Sequence, residues 1–307
     1  GLALHRAEPH GEGRQTLLQK FESNENLVTM CSTEPTTDVV HGSPPEFGEA
    51  QRQGQVGFSD LFEEEKTFNP TVRRQVLSYK PQKIQQATAC STPFSFSFQL
   101  AYRFLSQQGR QPTVTEDSQG WKFGETVIGP LPRRFGGYQT LGGNTLELLL
   151  DYRNVEEQPA QQITVDDVLN RTIMPELVRD RIILIGNNNR DLDPPSNTPY
   201  GPMPAVWTQA HMTSQLIDIG LGIRALFWAL PQWQDALIVG MYSILGGTLA
   251  YRFRSRKVFL LTLVVALLLW QQTCLGLLIR GGWLPFVPAT LSLLVTSSIT
   301  RYSQSKS

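Results

Sequence analysis

Arg73 and Arg74 stand side by side in the stretch Thr71-Val72-Arg73-Arg74-Gln75-Val76-Leu77-Ser78-Tyr79, whose apolar and polar residues alternate. That period predicts a strand with an antiparallel neighbour. A guanidinium group offers its donors in a fixed fork, so the pair is suited to gripping a carboxylate or phosphate. Adjacent strand residues point to opposite faces, so at most one of the two enters any pocket. The competing role is an ion pair to Glu63, Glu64 or Asp60. Asp60 closes the block Val56-Gly57-Phe58-Ser59-Asp60, and further polar candidates occur at Asn187, Asp193 and Thr198, directly after the apolar run Arg181-Ile182-Ile183-Leu184-Ile185-Gly186. Ligands of α/β sheets favour loops at the carboxyl ends of strands. The candidate ligand-binding set is therefore Arg73, Arg74, Asp60, Asn187, Asp193 and Thr198, with Asx turns as the competing explanation for the Asn and Asp.

Catalysis finds less support. His211 with Asp193, Ser196 and Asp60 would be the minimum for a hydrolytic site. The chain has no Gly-x-Ser-x-Gly elbow, no His-Glu-x-x-His and no phosphate-cradling glycine loop. No catalytic residue is expected, and His211, on a helix running from Pro204 through Gln215, is assigned a hydrogen-bonded packing role. Cys31, Cys90 and Cys274 have no metal-ligand spacing, so neither a metal nor a cofactor is expected. Cys31 and Cys90 could pair in an oxidising compartment, but sequence does not show that their Cα atoms approach, and the bridge is not assumed. Lys plus Arg and Asp plus Glu number 27 each, so no net field draws the chain to nucleic acid.

The elements that must position these groups read as an α/β domain with a mixed sheet over residues 1–230. Arg14 to Ser23 has helical character and Leu27 to Cys31 that of a strand. Residues 32–55 are rich in Pro, Gly, Thr and Glu without period, as in a long loop. Phe94, Phe98, Ala101, Tyr102 and Leu105 lie at helical spacing, with Ser91 or Thr92 as the cap. Short strands are expected around 126–128 and 146–152, then a helix from Thr164 or Val165 to Leu169 opened by Asp166 and Asp167. Arg181 to Gly186, apolar at every second position and between, predicts a central strand covered on both faces.

From Ala236 the composition changes, although the mean hydropathy of the whole chain is −0.20. Ala236 to Tyr251, Val258 to Ile279 and Trp283 to Thr300 are each mainly apolar over a membrane-spanning length. Three transmembrane α-helices are expected over 231–303. Arg252, Arg254, Arg256 and Lys257 lie between the first two runs, against Arg280 alone in the next turn. Basic loops face the cytoplasm, so residues 1–230 would lie outside and 304–307 would form a cytoplasmic tail of a multi-pass protein. The lipid bilayer is then a partner. Trp228, Trp233 and Trp283 suit an interfacial belt. Gly240, Ser243 and Gly247 share a helical face on which backbones could approach, and Gln271, Gln272 and Thr273 are expected to hydrogen-bond between helices. The opening Gly1-Leu2-Ala3-Leu4-His5-Arg6 reads as the end of a strand, and an exported domain of this kind implies further chain, with a membrane helix, upstream.

The blocks Gly1 to Arg6, Val56 to Asp60 with Arg73-Arg74, Cys90-Ser91-Thr92-Pro93, Arg181 to Gly186, and Thr198-Pro199-Tyr200 to Met203-Pro204 with Ala210, in this order and followed by three apolar helices, resemble the second type of CHASE domain. That family comprises extracellular sensory modules of bacterial signalling proteins. Gln232-Trp233 and Gly281-Gly282-Trp283 are most similar to members that carry a caspase-like CHAT module in their N-terminal cytoplasmic part. The resemblance implies a sensor at the inner membrane, responding to an unidentified small molecule or ion, expected as a homodimer, and signalling to an effector outside this chain. The alternative is a membrane scaffold whose outer domain dimerises or binds another protein.

Overall fold

In a computed structural model of the chain the described residues are 1–3, 13–33, 47–48, 52, 54–64, 70–79, 90, 92–141, 145–154, 158–189, 193 and 195–306. They divide into two units, one of Gly1–Pro130 with Asn144–Arg224, the other of Leu131–Gly143 with Ala225–Ser307. The first unit is built on a parallel sheet with spatial order β3-β2-β1-β9, where β1 is Leu2–Ala3, β2 Thr29–Cys31, β3 Val56–Phe58 and β9 Ile185–Gly186. Helix α1 (Gly13–Ser23) makes the crossover from β1 to β2, as parallel strands require. The opening residues thus form a strand, and a central one, because β1 pairs with both β2 and β9.

The period of two in β2 divides the core. Val28 and Met30 pack with Phe96 and Leu100 of α2 (Phe96–Gln107), while Cys31 joins Phe21 of α1, Val56, Phe58 and Val76 on the other side. Gly57 in β3 allows the closest approach: a Cβ there would lie 2.4 Å from the Cα of Phe96, so any side chain would force sheet and helix apart. The predicted antiparallel strand is β4 (Arg74–Tyr79), paired with β8 (Thr145–Leu149) through an irregularity between Val76 and Ser78. A three-stranded meander, β5 (Thr113–Val114), β6 (Trp121–Phe123) and β7 (Thr126–Ile128), lays Trp121 against Phe94, Phe98 and Tyr102.

Three expectations need correction here. The run Arg181 to Gly186 is not a central strand. Only Ile185–Gly186 pairs, at the sheet edge, and Ile183 and Ile185 are each 49% exposed while Ile182 and Leu184 alone reach the core. Helix α2 is capped by Ser95, whose hydroxyl accepts from the Phe98 N–H at 3.2 Å. Thr92 fails as the cap because Phe94 and Ser95 still bridge to Ser78 and Phe58 as extended chain; Ser91 lies outside the described residues. The helix containing His211 also runs further than expected: α4 spans Ala205–Leu221 and ends where Gly222 takes a left-handed φ of 75° that a side chain would resist. The short α3 (Val165–Leu169) agrees, with a capping box between Thr164 and Asp167.

Cys31 and Cys90 are joined in a disulfide, with Cα atoms 5.4 Å apart. The bridge left open by sequence is therefore present, and the two sulfurs meet because β2 and the segment before α2 flank the same cluster around Phe21 and Phe58.

The second unit consists of α5 (Gln232–Arg252), α6 (Arg256–Leu278) and α7 (Phe286–Lys306), with a short parallel pairing of β12 (Trp228–Ala229) and β13 (Gly282–Trp283). Among the described residues one helix, α6, is long and apolar enough to cross a membrane by length and composition. Helices α5 and α7 meet most closely at Gly246, where a Cβ would lie 2.3 Å from the Leu293 carbonyl oxygen. The contact face therefore runs through Val239, Ser243, Gly246 and Ala250, whereas Gly240 opens on empty space. Among the described residues Gln271, Gln272 and Thr273 make no bond to another helix: they are exposed, and the Thr273 hydroxyl donates to Leu269 of its own helix. The reason is rotational. Phe259, Leu263, Leu267 and Trp270 form the packed face of α6, and the next residues turn away from it. Arg301 ties α7 to the basic loop by donating to the carbonyls of Phe253 and Arg254, with its guanidinium 4.8 Å from the Phe259 ring centre.

The Cys31–Cys90 bridge closes a loop across 59 positions, which in the chain-entropy account stabilises the fold by roughly 4 kcal/mol. Thermal unfolding of the full chain in mild detergent is expected at a clearly lower midpoint for the Cys31→Ser, Cys90→Ser variant. Identical midpoints for variant and wild type would show that the bridge does not contribute.

Candidate functional site

The segment after β8 carries Asp151, Tyr152 and Arg153, and one face of α4 receives it. The Arg153 N–H donates to His211 Nδ1 at 3.2 Å, its guanidinium to the Ser214 hydroxyl at 2.9 Å and to Asp218 at 2.6 Å. Residues 211, 214, 215 and 218 recur at helical spacing, which is why one stretch of backbone meets them all. Asp218 also pairs with Arg224 at 3.1 Å, and Arg224 donates to the Asp151 carbonyl. Gln215 links the cluster inward: its Oε1 accepts from Gln75 of β4 and from the Asp151 N–H, and its Nε2 donates to the Leu149 carbonyl.

Tyr152 is the outer hub of this arrangement. Its hydroxyl donates to the Val72 carbonyl at 3.0 Å, and its ring lies 5.1 Å from His211 and 6.2 Å from Tyr200. Burial raises the phenol's pKa, and the nearby Arg73 charge opposes that shift. Tyr200 belongs to the turn of the hairpin β10 (Ser196–Thr198) and β11 (Gly201–Met203), where Thr198 accepts from the Tyr200 N–H and donates to the Gly201 carbonyl. The hairpin is fixed to the arginine strand by the Val72 N–H, which donates to the Asn197 carbonyl at 2.8 Å, and by Glu63, which accepts from the Asn197 N–H at 3.0 Å.

Arg73 and Arg74 point to opposite sides, as strand geometry requires. Arg74 lies between Glu64 at 3.3 Å and Glu147 at 2.8 Å, so it balances buried carboxylates. Burial raises the Glu147 pKa, and Arg74 opposes the rise. Arg73 is exposed, near enough to Tyr152 for its charge to act on the phenol. Asp60 is turned elsewhere, accepting from the Ser32 and Thr33 hydroxyls and the Thr33 N–H. Asn187 makes an Asx turn to the Asn189 N–H, and the Asp193 N–H donates to the Asn189 carbonyl. The structure thus brings Arg73, Arg74 and Thr198 to one region, leaves Asn187 and Asp193 together in the loop after β9, and places Asp60 against Ser32 and Thr33.

Comparison with known families decides what this framework is. The model of the CHASE2 domain matches residues 2–248, from β1 into α5. The chain belongs to the CHASE2 family. CHASE2 domains are extracellular sensory domains, and the match places both the sheet and the Tyr152 region within one. No curated protein and no solved structure matches.

Sequence reasoning missed Arg153, Asp218 and Arg224 in this CHASE2 domain. The available signal was Asp218 itself, an acid at the end of the apolar helical run Leu216-Ile217, which demands a basic partner when buried. His211 holds the packing role assigned to it, with Nδ1 as acceptor and its ring on Tyr152.

Burial, with Arg224 and Arg153 adding to it, lowers the His211 pKa to about 4. The unfolded value is about 6.5, so the unfolded chain binds the extra proton first as pH falls. The stability contributed by neutral His211 is complete above pH ~6.5 and is lost between there and pH ~4, by about 2 kcal/mol at pH 5. Buried Glu147 and partly exposed Asp151, both with raised pKa, act in the opposite sense. The comparison that isolates the imidazole is thermal unfolding at pH 7.5 and pH 5 for wild type and His211→Asn, whose Oδ1 can still accept from Arg153. The wild-type midpoint is expected to fall more steeply; parallel falls would remove His211 from the account.

Proposed function

We propose that the chain is a membrane-anchored sensor whose first unit, Gly1–Pro130 with Asn144–Arg224, reads a chemical signal and passes it through the helices that follow to a cytoplasmic effector. The observation carrying this reading is the CHASE2 match, which extends without interruption from the sheet into α5. The disulfide supports an oxidising compartment for the first unit, since such bridges persist outside the cytosol. The apolar α6 and the run Arg252, Arg254, Arg256 and Lys257 support a multi-pass arrangement with that basic loop and the C-terminus inside. The site is a binding site and no catalytic role is given to it.

The transmitting element in this reading is α4. Its inner face holds the signal-facing segment through His211, Ser214 and Asp218, and Asp218 also holds Arg224, where the first unit ends. A ligand that shifts Tyr152 or Arg153 would change the clamp on Arg224, which is the differential contact a two-state sensor requires. Arg73 is the cation such a ligand meets, because Arg74 already balances Glu64 and Glu147.

Topology is tested with single cysteines at Gln119 and Ser255 in a Cys274→Ala background, labelled in intact cells by an impermeant maleimide. Labelling at 119 alone is expected; labelling at 255 alone would put the first unit in the cytoplasm and overturn the sensor reading. The ligand site is tested by thermal shift of the full chain against a panel of small carboxylates and phosphates. A stabilising compound is expected to lose roughly tenfold or more in affinity with Arg73→Ala and little with Asp60→Asn. Equal binding by wild type and Arg73→Ala would dismiss Arg73 as the contact.

A further inference from the structure

Residues 133–141 of the second unit form a tight hairpin. The Phe135 and Tyr138 backbones exchange hydrogen bonds at 3.0 and 2.9 Å, and the Leu141 N–H donates to the Arg133 carbonyl at 2.8 Å. Trp283 anchors it: a Cβ on Gly136, whose φ is 54°, would lie 2.5 Å from the indole, and the Tyr138 ring stands 5.9 Å away, edge-on. Gly282 in turn lies directly under the ring of Trp228, and Trp233 is 62% exposed on the first turn of α5. Three tryptophans and a tyrosine therefore gather at the end of the helical unit where α5 begins. Amphipathic rings in such a cluster suit the boundary between hydrocarbon and headgroups.

Against this cluster lies a groove of about 720 Å³, lined among others by Arg133, Arg134, Phe135, Leu230, Pro231 and Gln232. Among the described residues no carboxylate lines it. Arg134 is positioned by a 2.6 Å hydrogen bond to Gln232, and Arg133 is exposed; among the described residues neither has a carboxylate in ion-pair distance. Two guanidinium groups with no carboxylate of a described residue against them, over a partly apolar groove and beside an aromatic belt, match a molecule with a phosphate at one end and an apolar body at the other. A free anion would use the arginines but leave the apolar lining and the belt without a purpose.

We propose that this groove binds the phosphate of an anionic phospholipid in the outer leaflet, with Arg133 and Arg134 as its donors. The site rests on the membrane reading above. It would fix the 133–141 hairpin and the start of α5 at the headgroup level, and lipid composition would then bias the helix that leaves the sensory domain.

The test uses the full chain in mild detergent, with thermal unfolding measured alone and with short-chain phosphatidylglycerol, short-chain phosphatidylcholine or inorganic phosphate. Phosphatidylglycerol is expected to raise the midpoint by about 3 °C or more. The other two should have little effect, and Arg133→Gln with Arg134→Gln should reduce the rise by more than half. Arg133→Gln alone, which leaves the Gln232 hydrogen bond intact, covers the case in which the double variant does not fold. An equal rise with inorganic phosphate would mark a free-anion site, and an equal rise with phosphatidylcholine, no rise at all, or a rise unchanged in both variants would equally overturn the proposal. Flotation of the chain with liposomes is scored separately: a chain that floats but shows no phosphatidylglycerol preference sinks this site alone, whereas one that does not float sinks the membrane reading with it.

Discussion

Asp218 sets the condition that the sensory unit must satisfy. Its carboxylate lies on α4 with only 5% of the residue exposed, and a lone charge at that depth would be several kcal/mol unfavourable. Arg153 and Arg224 meet it from two sides, at 2.6 and 3.1 Å. Because Arg153 follows β8 and Arg224 follows α4, satisfying one carboxylate fixes strand, helix and exit segment together. The same register then puts His211 under the Arg153 N–H and Gln215 under the Asp151 N–H. Buried pairs of this kind add little net stability over apolar packing, and their effect here is to allow one arrangement of α4 and exclude neighbouring ones. Replacing Asp218 would leave two guanidinium groups facing each other, which explains why the clamp couples its parts instead of merely joining them.

What the sequence made legible follows from which interactions are local. The period of two in Arg74 to Tyr79 and the helical spacing of Phe98, Ala101 and Leu105 report a neighbour's burial directly, and both elements form where expected. Arg181 to Gly186 misled because hydrophobicity on both faces is only half of what a central strand needs; the other half is a pairing partner on each side, and the chain gives that position to β1. Residues Leu2 and Ala3 are too few to show a period at all. The helix cap moved from Thr92 to Ser95 for a similar reason, since bridges from Phe94 and Ser95 to distant segments hold the chain extended past the first plausible cap.

The candidate site was legible to the extent that it used strong single-residue signals. Paired arginines on a strand, one of them neutralising nearby glutamates, could be read from alternation, and Glu64 was among the partners so expected. Glu147 could not be, because it reaches Arg74 only through the pairing of β4 with β8, 73 positions away in sequence. Thr198 came to the arginine strand through Asn197 and Val72, a backbone contact that no side-chain pattern records. Tyr152 carried no signal in its own neighbourhood, yet it is where the Val72 carbonyl, Tyr200 and His211 converge.

The helical unit shows why average hydropathy is a poor measure of a helix that packs against another. Helix α7 carries Ser292, Thr296, Ser297, Ser298 and Thr300, which depress its apparent hydrophobicity. Those hydroxyls have carbonyl partners: Ser292 donates to Val239 and Thr296 to Ser243 of α5, and Ser298 and Thr300 to the turn below in their own helix. A hydroxyl satisfied by a carbonyl adds little cost in an apolar medium, and two of these bonds also hold α5 and α7 together beside Gly246. Helix α6 reaches its neighbours differently: among the described residues its Trp270 indole N–H donates to the Phe286 carbonyl of α7 at 3.4 Å, and otherwise it packs through the apolar side chains Phe259, Leu263 and Trp270. The difference between α6 and its neighbours is thus a difference in how polar groups are satisfied, and it supports treating the three helices as one membrane unit in our proposal.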